Sequence, residues 1–64
     1  MATIKVQGLR CGACAGNVTR AITALDPAAQ VQVDVAAGQV TVTGAAAEAE
    51  LRDAIRRAGY TALG

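Results

Sequence analysis

The sequence contains no histidine, tryptophan or phenylalanine, and Tyr60 is its one aromatic residue. Each absence removes a class of function. Without His, this chain offers neither an imidazole general base nor a Cys–His zinc site. One aromatic ring cannot stack successive bases, the net charge is only +1, and Lys and Arg never cluster in a run, so nucleic-acid binding has no support. No stretch approaches the ~18 apolar residues of a membrane span, so direct membrane insertion is not expected. Met1-Ala2-Thr3-Ile4-Lys5 does not begin the apolar segment of about 7–15 residues that a secretory signal needs, which points to the cytoplasm.

A length of 64 residues leaves room for one core, so residues 1–64 are expected to form a single domain. A chain this short buries only about 60% of the surface it exposes when unfolded, which makes an enclosed substrate pocket improbable. The functional site should therefore lie at the surface, and no enzymatic activity is expected.

Periodicity is the strongest local signal. Thr3-Ile4-Lys5-Val6-Gln7 alternates polar and apolar residues, as a half-buried strand does. After Gly8, the residues Val18, Ala21, Ile22 and Leu25 mark one face of a helix over about 13–25, with Asn17 and Arg20 outside. Asp26-Pro27 ends it. Val31, Val33 and Val35, then Val40 and Val42, alternate around Ala36-Ala37-Gly38-Gln39 as a β-hairpin with its valines on one face. From about Ala47, Leu51, Ala54, Ile55 and Ala58 form a second helical stripe, with Glu48 and Glu50 early and Arg56 and Arg57 late, as the helix dipole favours. Gly59 suits a helix stop, and residues 60–63 suit a short edge strand. The order is βαββαβ, an α+β class: the ferredoxin-like sandwich of a four-stranded antiparallel sheet with two helices on one face.

Gly8-Leu9-Arg10-Cys11-Gly12-Ala13-Cys14 falls between the first strand and the first helix. Two thiols three residues apart in a reducing compartment are unsuited to a structural disulfide, because so small a loop stabilises little. At a helix N-terminus the unpaired N–H groups and the positive end of the dipole favour the thiolate, the form that binds metal. A closed zinc or iron–sulfur site usually takes four protein ligands, more than two thiols supply. Two thiolates suit Cu(I), with Ag(I) or Hg(II) as mimics, and Zn(II) is less favoured. Arg10 offsets the negative charge. Two other readings remain open: cysteines that merely pack as small apolar residues, and a dithiol redox protein, which also places C-x-x-C at a helix start.

The loop and the topology together resemble the heavy-metal-associated domain, found in cytosolic copper chaperones and at the N-termini of copper-transporting P-type ATPases. The similarity covers essentially the whole chain. Gly8-Leu9-Arg10-Cys11-Gly12-Ala13-Cys14 stands for the family's G-M-x-C-x-x-C, and Ala54-Ile55 with Ala58-Gly59-Tyr60 matches its A-I-x-x-A-G-Y ending. The resemblance implies that Cys11 and Cys14 are the ligands, flanked by Arg10, Gly12 and Ala13. It implies that Leu9 packs beneath the loop in place of the usual Met, a volume-conserving change. It also implies that Tyr60 lies beside the metal, its ring excluding water, a role compatible with anchoring in the core.

By the same resemblance the partner is the metal-binding domain of a copper-transporting P-type ATPase or a copper-responsive regulator. A copper-bridged homodimer is a further possibility, and so is an N-terminal regulatory domain of the ATPase itself. The topology puts Arg10, Arg56 and Arg57 at the metal end, as a basic rim for docking on an acidic partner.

Overall fold

The computed structural model of the protein describes residues 1–10 and 12–63. Its elements are β1 (Ala2–Gln7), α1 (Gly12–Leu25), β2 (Gln30–Asp34), β3 (Gln39–Thr43), α2 (Glu48–Arg57) and β4 (Thr61–Leu63). The strands form one sheet in the order β2-β3-β1-β4, and every neighbouring pair is antiparallel. This is the expected βαββαβ sandwich, with element bounds within a residue or two of those read from the periodicity.

The period-two strands and period-3.6 helices turn their apolar positions to a common interior. Ile4 and Val6 of β1, Val40 and Val42 of β3, and Ala62 of β4 meet Val18 and Ile22 of α1 and Leu51 and Ile55 of α2. Among the described residues no polar or charged side chain is buried. The interior is therefore filled by dispersion and apolar burial alone.

Three details of burial differ from the plain periodicity. Val40 and Val42 are fully covered, whereas Val31 and Val33, on the same hairpin face, are only half-buried. The reason is that β3 lies inside the sheet and β2 is an edge, flanked on one side only. Val35 falls outside β2, in the turn, where its carbonyl accepts from the Gly38 N–H at 3.3 Å. Leu25, on the predicted apolar stripe, is 40% exposed because it is the last residue of α1, where the chain leaves the interior.

The two ends of the domain differ in what holds them. At one end Asp26 ties two loops together: its Oδ1 accepts from the Ala28 N–H at 3.2 Å and its Oδ2 from the Ala45 N–H at 3.1 Å. That end holds the close of α1 and the start of α2. At the other end, the β1–α1 loop, the hairpin turn and the close of α2 come together. There the Val6 N–H donates to the Gly38 carbonyl at 2.7 Å, and Tyr60 reaches Gly8.

Candidate metal site

The segment that follows β1 turns directly into α1. Leu9 is half-buried and packs against the core, while Arg10, Gly12 and Ala13 are exposed. Cys14 is the third residue of α1 and is half-buried. Its first-turn position is where N–H groups have no carbonyl partner within the helix and where the dipole is positive, an environment that stabilises a thiolate. The expected ligand role of Cys11 falls outside the described residues. Among the described residues no three His, Cys, Asp or Glu side chains come together, so a metal reading of this region rests on its thiols.

Tyr60 arrives at this end by way of the α2 C-terminus. After Arg57 the chain closes the helix with paired backbone bonds: the Gly59 N–H donates to the Arg56 carbonyl at 3.0 Å, and the Tyr60 N–H to the Ile55 carbonyl at 3.3 Å. This is a Schellman closure, which requires a left-handed residue at its turn. Gly59 supplies it with φ = 99°, a conformation that a side chain would resist. The closure aims Tyr60 back across the sheet end. Its ring packs against the core, with Cδ1 only 3.3 Å from the place a Gly8 side chain would begin. Its hydroxyl accepts a hydrogen bond from Asn17 Nδ2 at 3.3 Å. Tyr60 is thus both a core anchor and a neighbour of the loop.

The predicted basic residues are exposed, and two of them end α2, the element whose close adjoins the loop. They are not equivalent. Arg57 pairs with Asp53 at 2.9 Å, one helical turn back, so its charge is partly met within the helix. Arg10 and Arg56 have no ion-pair partner among the described residues. Sequence reasoning missed Asn17, which reads as an ordinary exposed helix residue. The one available signal was its position three residues after Cys14, on the adjacent ridge of the same helix.

The family model for the heavy-metal-associated domain matches residues 3–61. Among solved structures, the copper chaperone Atx1 from Synechocystis PCC 6803 superimposes with a TM-score of 0.95 at 40% identity, covering 98% of this chain and 100% of that one. A structure described as CopZ metallochaperone gives 0.90 at 29% identity, over 97% of each chain. The N-terminal domain of PacS from Synechocystis gives 0.76 at 41% identity, over 98% of this chain and 96% of that one. The full-length probable copper-transporting ATPase PacS of Synechocystis is 38% identical over 61 residues, 92% of this chain. The chain spans only 8% of the length of that curated relative. No helix among the described residues is long and apolar enough to cross a membrane.

Proposed function

Because the chain belongs to the heavy-metal-associated domain family, we propose that it is a copper chaperone that binds Cu(I) between the Cys11 and Cys14 thiolates. The observation that carries this reading is a C-x-x-C whose second thiol sits in the first turn of α1, in a fold that superimposes on the copper chaperone Atx1 with a TM-score of 0.95.

The chemistry follows from a donor set of two. Each thiol gives up its proton on binding, and the ion stays monovalent throughout. Two thiolates leave Cu(I) under-coordinated, so a thiolate of the recipient can add as a third ligand before one of the chaperone's sulfurs departs and is reprotonated. Copper then passes from one protein to the other without entering solution. The half-buried Tyr60 ring beside Gly8 limits water access to one side of the loop, while the exposed Arg10, Gly12 and Ala13 leave the other side open to a partner.

The recipient proposed is the metal-binding domain of a copper-transporting P-type ATPase, supported by the 38% identity to PacS. Arg10 and Arg56 form the basic rim that would steer it, an effect that salt screens. The same likeness favours one alternative, in which the chain acts as the metal-sensing N-terminal unit of such a pump. Only the free-standing chaperone would deliver copper to a separate pump domain.

The test is competition with a Cu(I) chelator. The reduced protein should withhold one equivalent of Cu(I), and the Cys11→Ser, Cys14→Ser double variant should withhold none. Equal retention by both proteins would overturn the proposal. Efficient reduction of an insulin disulfide without Cu(I) retention would point to the dithiol redox reading instead.

A further inference from the structure

Tyr60 touches both ends of the segment that carries the cysteines. Its ring lies against Gly8, where β1 gives way to the loop, and its hydroxyl accepts from Asn17, in the second turn of α1. The contact joins residues 43 apart in sequence, and it bypasses the loop. The backbone closure at Gly59 fixes where Tyr60 leaves α2, so the ring is held from behind. We infer that the Asn17–Tyr60 hydrogen bond is a strap that holds the first turns of α1 against the end of β1 and so sets how readily the first turn of α1, with Cys14 in it, frays. Asn17 is then a positioning residue: it acts through Tyr60.

The inference deepens the copper reading and rests on it for the consequence at the metal, but the strap itself is measurable without metal. Fraying opens the first turn of α1, where the N–H groups of Gly16 and Val18 reach back to the carbonyls of Gly12 and Cys14 by the four-residue helical pattern. It also frees the turn that positions the Cys14 thiol, one of the two proposed ligands. An exposed neutral hydrogen bond has a modest net worth, so its loss should speed opening by about two- to tenfold.

The experiment is a double-mutant cycle with Asn17→Ala and Tyr60→Phe. Both are mild: Asn17 is exposed and Ala favours a helix, while Phe keeps the ring. In the metal-free reduced protein, amide exchange at Gly16 and Val18, corrected for intrinsic rates, should accelerate in each single variant, by less in Asn17→Ala, where the better helix former offsets part of the loss. The double variant should be no faster than either single one, because one bond is lost in all three. Loss of Cu(I) to a chelator should accelerate in parallel, with the melting temperature falling by only a few degrees. Unchanged exchange in the single variants, or factors that multiply in the double variant, would overturn the strap. Failure of the parent protein to retain Cu(I) would overturn the copper reading, and the metal-free exchange rates would still decide the strap.

Discussion

Replacing Gly44 by Ala sets two effects of opposite sign against each other, and the structure decides which wins. Alanine restricts the unfolded chain, which by itself would stabilise the fold by about 0.4–1 kcal/mol. In the folded protein, however, a methyl group at Gly44 would stand 2.6 Å from Asp26 Oδ2, 3.0 Å from Ala29 Cβ and 3.2 Å from Ala29 Cα. A carboxylate on a free side chain could swing aside at little cost. Asp26 is not free, because its two oxygens hold the Ala28 and Ala45 N–H groups, and the Ala29 contacts involve backbone. Overpacking of this kind costs about 1–3 kcal/mol, and loss of the Ala45 bond adds about 1 kcal/mol. A net loss of about 2 kcal/mol lowers the melting temperature by roughly 10 °C in a domain of this size. Circular dichroism of the reduced, metal-free protein measures it. In an Asp26→Ala background the shortest contact is gone, so Gly44→Ala should cost clearly less there. Cu(I) affinity should not change, since this cluster lies at the end remote from the loop. A Gly44→Ala variant as stable as the parent would refute the reasoning, by showing that the loop relaxes freely.

Three other perturbations have defined outcomes. Ala47 caps α2 in an extended conformation with no side-chain hydrogen bond, so Ala47→Asp or Ala47→Ser should raise stability by about 1 kcal/mol in chemical denaturation. Gly59→Ala forces a side chain into the left-handed closure, which should cost about 1–2 kcal/mol and broaden the Tyr60 ring resonances in NMR spectra. Arg56→Glu should slow copper delivery to an acidic recipient at low salt more than Arg57→Glu does, because Arg57 is already paired with Asp53. A parent-like rate for Arg56→Glu in stopped-flow transfer would remove Arg56 from the docking surface.

Much of the fold was legible in the chain because the signals are local and redundant. Alternation at Ile4 and Val6 and at Val40 and Val42, and the stripes through Val18 and Ile22 and through Leu51 and Ile55, each specify an element and its inward face. All of these residues are buried. The C-x-x-C is equally local, since it takes its chemistry from the two residue types and from the helix that begins beside them. The reach of Tyr60 to the loop was legible only through the family resemblance, and its bond to Asn17 not at all. Its sequence neighbours announce a helix stop at Gly59 but not the direction in which the chain departs, and the Asn17 bond pairs residues that no pattern links.

The sequence by itself determined the six elements, the apolar face of each and the soft-donor character of the loop, because these follow from spacing and side-chain chemistry. Tertiary structure decided what depends on neighbours brought from far along the chain. It made β2 an edge and left Val31 and Val33 half-covered. It bound the Asp26 carboxylate to the loop before α2, gave Arg57 a partner within its helix, and set Tyr60 between Gly8 and Asn17. Packing and hydrogen bonding between distant segments act only once the sheet has closed, so no reading of adjacent residues contains them.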